Sequence, residues 1–309
     1  MKIAFLFPGQ GAQYVGMGKE LYEKYPEFFT GFEAALDFDL KQLVFEGPED
    51  ELGKTQYTQP ALVTIELAFA QILNHFGIKA DVVAGLSLGE YAALSYAGAF
   101  DVKTAVELVA KRGLLMEKAV PAGIGAMTAV LGLEADKLKE ACARVTGLGV
   151  VEIANYNCPG QLVIGGHQPA VEEAGRIALE LGAKRAIPLK VSGPFHTSLL
   201  SEAGAKLRAE LEKVQLGDLQ VPVVFNTTGT AEAVDLVGTL EQQIQSSVYF
   251  EKSIRQMMAD GVDTFIEVGP SKTLSGFVKK IDRKATVYNM EDLESLNKIV
   301  EALGGNTHE

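Results

Sequence analysis

Gly85-Leu86-Ser87-Leu88-Gly89 stands directly between a short apolar run, Asp81 to Ala84, and a helical stretch, Glu90 to Ala97. No other feature restricts the fold as much. A serine at a strand-to-helix elbow is lifted above the sheet edge, and the glycines permit the tight turn and close helix packing. The run before it is apolar and bounded by glycine, as strands buried in a parallel sheet are. The chain should therefore contain an α/β layer. A glycine-rich turn with an incidental serine is the other reading of the same residues.

Lys2 to Phe7 is a second run of this kind. Between the two, Leu62, Ile65, Phe69, Ile72, Leu73 and Phe76 share one helical face, predicting a helix over Thr58 to Phe76 with Thr58 as cap and Pro60 in the first turn. Asp101 to Lys118 predicts another helix. The rhythm then changes. A strand at Ala126 to Leu133, a helix at Ala135 to Val145, strands at Val150 to Ala154 and Leu162 to Ile164, a helix at Ala170 to Leu181 and a strand at Arg185 to Val191 follow in turn. That βαββαβ order is the split unit of a ferredoxin-like domain. It reads as an insert, residues 123–194, with Gly123, Gly125 and Ser192-Gly193-Pro194 as hinges. Residues 1–122 and 195–309 would then form one α/β core, because apolar runs at Val221 to Phe225, Thr264 to Val268 and Thr286 to Tyr288 return to alternation with helices.

A serine hydroxyl needs a base within hydrogen-bond reach to act as a nucleophile, and the chain has 4 histidines. His308 lies in a polar tail, Gly304 to Glu309, expected to fray. His75 sits near the end of an amphipathic helix and His167 in the turn Gly165-Gly166-His167-Gln168-Pro169. His196 follows Gly193-Pro194-Phe195 where the insert hands back to the α/β layer, a usual place for a cleft, so position favours it. Cys142 and Cys158 are too few and too ill-spaced for a disulfide framework, a redox pair or a thiolate metal site. A reducing cytoplasm fits that count.

On a helical wheel Arg112 falls within the apolar stripe of Ala105, Val109 and Met116, opposite Lys103, Glu107, Lys111 and Lys118. A buried guanidinium requires an anionic partner. The partner is either a core carboxylate, with Glu90 a candidate, or a ligand carboxylate held by two parallel hydrogen bonds.

Lys and Arg number 28 against 40 Asp and Glu, a net charge of -12, so the basic footprint that nucleic acid demands is missing. No apolar stretch approaches the roughly 20 residues of a membrane-spanning helix, and the first run is too short for a signal-peptide core. A soluble protein is expected.

Pro8-Gly9-Gln10-Gly11-Ala12-Gln13, Gly85-Leu86-Ser87-Leu88-Gly89-Glu90-Tyr91, Arg112, Asn155-Tyr156-Asn157 with Pro159-Gly160-Gln161, Pro194-Phe195-His196 and Glu267-Val268-Gly269-Pro270 occur in this order. In that order the chain resembles the malonyl-CoA:acyl carrier protein transacylases over nearly its whole length. The resemblance implies an α/β fold, an α/β-hydrolase-like core with an inserted ferredoxin-like subdomain. It implies that Ser87 is the acylated nucleophile and His196 its general base and acid. It implies an oxyanion hole at the Leu88 N–H with Gln10 close by, and a grip on the malonyl carboxylate by Arg112. Asn155, Asn157 and Gln161 match positions that line the cleft. Phe195 resembles the malonyl-selective members. No metal or cofactor is implied, malonyl-CoA being a substrate and acyl carrier protein the second partner.

Two positions depart from the family pattern. Leu86 stands where many members have histidine, and Tyr249 where a glutamine is frequent. The family orients its histidine by a main-chain carbonyl from the segment around Tyr249, which any residue can supply. Both implied substrates are anionic, so an acidic chain must recruit them locally. Lys279-Lys280-Ile281-Asp282-Arg283-Lys284 is one candidate patch and Lys184, Arg185 and Lys190 a second; a solvated helix end is the plain alternative. A serine esterase or thioesterase, and a noncatalytic carrier-protein-binding module, are the competing readings.

Overall fold

The computed structural model describes residues 1–121, 123–232 and 235–306. Among these the strands are β1 (Ile3–Phe7), β2 (Val82–Gly85), β3 (Gly125–Leu131), β4 (Val151–Cys158), β5 (Gln161–His167), β6 (Arg185–Pro188), β7 (Val223–Val224), β8 (Thr264–Val268) and β9 (Thr286–Met290). The chain divides into two compact units. One comprises Met1–Gly113, Val214–Phe225 and Arg255–Glu309, the other Leu114–Lys213 and Asn226–Ile254.

The first unit is built on a parallel sheet in the order β7-β2-β1-β8-β9. Its central strands β1 and β8 are buried along their whole length, as expected of strands covered on both faces. The sheet thereby brings the ends of β1 and β2 side by side, with Phe7 opposite Gly85. The Thr55–His75 helix starts earlier than its apolar spacing suggests. Lys54 is its cap residue, and Pro60 lies inside the helix. Thr58 is no cap, because its hydroxyl donates to the Leu52 carbonyl at 2.6 Å. The tail is also tied further than expected: Gly305 N–H donates to the Val300 carbonyl and Asn306 N–H to that of Phe76, each at 2.9 Å. His308 lies outside the described residues.

The second unit carries an antiparallel sheet in the order β4-β5-β3-β6, its strands and helices following one another as βαββαβ. Helices Ala135–Arg144 and Gln168–Glu180 cover one face, burying Leu138, Val171, Ala174 and Ile177 against Val130 and Ile164. The βαββαβ elements run from residue 125 to 188, and the unit that holds them also takes in helices Ser201–Leu211 and Leu236–Gln245. β6 stops at Pro188, short of Val191, and proline is poorly suited to continuing a ladder. β4 runs on to Cys158, with register shifts between Ile153 and Asn155 and between Tyr156 and Cys158. At the first shift the backbone turns to a different neighbour: Val248 N–H donates to the Ala154 carbonyl, and Tyr156 N–H to that of Val248, each at 2.8 Å. The fold is α/β, with an α/β-hydrolase-like parallel layer and a ferredoxin-like antiparallel unit. Among the described residues, no helix is long and apolar enough to cross a membrane.

Candidate active site

The elbow forms between β2 and the Gly89–Tyr96 helix. A Cβ on Gly85 would lie 1.9 Å from the Gly89 carbonyl carbon, and one on Gly89 would lie 2.2 Å from the Phe7 oxygen. Only glycine fits at either place. Between them Ser87 is held at φ 56, a left-handed conformation that costs a residue with a Cβ about 1–2 kcal/mol. Among the described residues the one other non-glycine residue with positive φ is His196, at φ 60. Such strain persists where surrounding structure imposes it, and it gathers at functional positions.

Ser87 Oγ accepts a hydrogen bond from Arg112 Nη2 at 3.0 Å, while Arg112 Nη1 donates to Gln59 Oε1 at 2.8 Å. The guanidinium is fully buried and lies over the Tyr91 ring, 5.3 Å from its centroid. Burial pulls its pKa below the ordinary value, against the opposing influence of Tyr91 and Glu90. The fork is turned to the serine, while Tyr91 and Glu90 act on the guanidinium in the direction that favours its charge. Gln59 was not singled out by sequence, although a polar residue in a long apolar helix was a signal. Gly113 follows Arg112, and a Cβ there would lie 2.6 Å from the Thr55 oxygen and 2.9 Å from Gln56 Cα. The backbones of the two helices meet at that point. Gln10 Nε2 donates to Thr55 Oγ1 at 3.1 Å, beside the start of the same helix, and Leu88 is the residue before the Gly89–Tyr96 helix.

The second unit holds the histidine. His196 is buried, with Nδ1 2.8 Å from the Gln243 carbonyl and its backbone N–H donating to Ile244 O at 3.1 Å. Because a carbonyl only accepts, Nδ1 carries the proton and Nε2 the lone pair. Gln243 and Ile244 lie in the last turn of the Leu236–Gln245 helix. Carbonyls there lack intrahelical partners and can accept from the ring. The orienting carbonyl is therefore Gln243 and not one at Tyr249. Tyr249 instead donates its N–H to Asn226 O at 2.8 Å and stacks on Tyr156, centroids 4.9 Å apart.

Phe195 is buried next to His196, Asn155 and Asn157 lie on β4, and Gln161 begins β5. Asn157 Oδ1 is buried without a hydrogen bond. His167 Nδ1 accepts the Val150 N–H at 2.9 Å, and the His75 ring lies against those of Phe28 and Phe76. Burial pushes the Cys142 thiol up to about 11, which keeps it protonated and inert.

One buried acid in the first unit has a different character. Neither oxygen of Glu66 finds a hydrogen-bond partner, and burial, reinforced by Glu267, raises its pKa well above the carboxylate range. Folded protein then holds a proton that unfolded chain releases, so this residue's contribution to stability falls as pH rises above the unfolded value. Glu66→Gln should gain stability relative to the parent between pH 5 and pH 8 in urea unfolding. Parallel profiles would refute the assignment.

Residues 4–304 match the family described as acyl transferase domain, and the chain belongs to that family. It is 47% identical over 308 residues to the malonyl CoA-acyl carrier protein transacylase of Bacillus subtilis, covering 98% of this chain and 97% of that one. The crystal structure of malonyl CoA-acyl carrier protein transacylase from Clostridium perfringens superposes with a TM-score of 0.95 at 45% identity, over 98% of each chain. The PlMCAT:AntF structure, a type II PKS acyl-carrier protein in complex with its malonyl-transacylase, matches with a TM-score of 0.93 at 38% identity, over 98% of this chain and 100% of that one.

Proposed function

We propose that this enzyme transfers the malonyl group from malonyl-CoA to the phosphopantetheine thiol of acyl carrier protein through a malonyl-serine intermediate. The observation that carries the reading is the 3.0 Å bond from a fully buried arginine to the elbow serine. A cationic fork beside a nucleophile selects an acyl group with a carboxylate of its own.

His196 Nε2 takes the proton of Ser87 Oγ, and Oγ attacks the thioester carbonyl. The oxyanion is held by the Leu88 N–H at a helix N-terminus, with Gln10 beside it. Coenzyme A leaves as a thiol, taking the proton from His196. The carrier-protein thiol then gives its proton to His196 and attacks the serine ester, and Ser87 recovers its hydroxyl. Arg112 holds the acyl group in register through both halves. Asn155, Asn157, Gln161 and Phe195 line the acyl cleft. No cofactor is needed for this chemistry. The product supplies malonyl units for fatty-acid or polyketide synthesis, in the cytoplasm.

Intact-mass measurement tests the scheme. Malonyl-CoA should leave one malonyl adduct on the protein, and holo carrier protein should remove it and carry it away. Release of free malonate in place of transfer would make the enzyme a hydrolase.

For carrier-protein docking, Lys279 is a poor probe, because its Nζ donates to the Ala285 carbonyl at 2.6 Å and closes the end of the Thr273–Ile281 helix. Arg283 and Lys284 are exposed. Reversing both charges should raise KM for carrier protein about 10-fold at low salt; an unchanged KM would move docking to Lys184, Arg185 and Lys190, on and beside the edge strand β6.

A further inference from the structure

The loop that carries His196 is strained, so the angle of the imidazole depends on what pins the chain on either side. Across the histidine, Thr197 Oγ1 donates back to the Pro194 carbonyl at 2.6 Å, closing the turn. Downstream, Ser198 is held by one side chain. Glu152 Oε2 accepts the Ser198 N–H at 2.8 Å, and Oε1 accepts the Ser198 hydroxyl at 2.6 Å. Glu152 lies on β4. The same strand grips the segment that follows the Leu236–Gln245 helix: Ser247 Oγ donates to Ile153 O at 2.6 Å, and Asn155 bridges to Val248. One strand therefore anchors both the histidine loop and the chain leaving the helix whose carbonyls orient the ring.

We propose that Glu152 is a positioning residue for the base, clamping Ser198 so that the strained His196 keeps its alignment with the helix-end carbonyls. This rests on the reading of His196 as general base. The clamp works through geometry and not charge, since both carboxylate oxygens are used as acceptors for one residue's backbone and hydroxyl. A small displacement of a catalytic group lowers the rate of the chemical step and leaves substrate binding intact.

The test compares four variants in single-turnover malonylation and steady-state transfer, with folding followed by thermal unfolding. Glu152→Ala should lower kcat about 10-fold, with KM for malonyl-CoA within twofold and the pH profile unshifted. Glu152→Gln should restore most of the rate, because a carboxamide can accept the Ser198 N–H through its oxygen and present its nitrogen to the hydroxyl. Ser198→Ala should lose less than Glu152→Ala, one of the two bonds surviving; it also reports on the clamp if Glu152→Ala does not fold. His196→Ala is the control. If His196→Ala is inactive while Glu152→Ala and Ser198→Ala match the parent, the clamp is overturned and the base stands. If His196→Ala keeps its malonylation rate, the reading of the base itself fails. A Glu152→Gln rate as low as that of Glu152→Ala, with a shifted pH profile, would replace positioning with an effect of charge on the imidazole.

Discussion

Ser87→Ala is expected to form no covalent adduct with malonyl-CoA and to lose transfer by roughly 10⁶-fold, the scale seen when a serine nucleophile is removed. The loss should come without gross unfolding, since alanine keeps the Cβ that the elbow already accommodates. It also deletes the acceptor that Arg112 Nη2 uses, so a cost of about 1–2 kcal/mol in stability should accompany it. Ser87→Gly separates the two effects. Glycine relaxes the φ of 56, so this variant should be equally inactive yet more stable than Ser87→Ala by about 1 kcal/mol. Peptide mapping decides the chemical point: a malonyl group retained at any other residue in Ser87→Ala would displace Ser87 from the mechanism. Equal stability of the two variants would show that the elbow stores no strain.

Arg112→Ala should lower malonyl transfer about 100-fold or more, while acetyl transfer is spared or raised. On the proposed mechanism the fork would supply charge-assisted bonds to the malonyl carboxylate, each worth about 1.5–3 kcal/mol, and an acetyl group has nothing to place there. Arg112→Lys should rescue little, because an ammonium cannot bond Gln59, Ser87 and a carboxylate in one plane. The ratio of the two activities is the deciding measurement. A purely architectural arginine, buried to offset Glu90, would take both activities down together when removed, and that outcome would end its role in acyl selection.

Much of this arrangement is written in hydrophobic spacing and punctuation. Apolar runs bounded by glycine or proline became β1, β2 and β8, and the change of rhythm from Ala126 became the βαββαβ unit. Boundaries failed where a side chain had other business. Thr58 looks like a cap, but its hydroxyl serves Leu52, and β4 outruns its apolar residues because its irregular stretch borrows Val248 as a partner. Ser87 stood out as a candidate from its elbow; His196 did so from its place at an expected junction, although the compact unit that holds it runs on to Lys213. Gln243 was not, and for a physical reason: it acts through a main-chain carbonyl, which every residue possesses, so its identity carries no signal. The left-handed backbone of Ser87 and His196 was equally hidden, since neither residue type advertises positive φ.

Gly113 gives the arginine's position an origin outside the arginine. The residue lacks the methyl that would strike the backbone at Thr55 and Gln56, and so the helices bearing Arg112 and Gln59 can approach until their side chains bond. Any larger residue at 113 would displace the guanidinium while leaving its chemistry untouched. If Arg112 selects the acyl group as proposed, that preference would be stored as an interval between two backbones, open to retuning at a position outside the proposed acyl-binding groups.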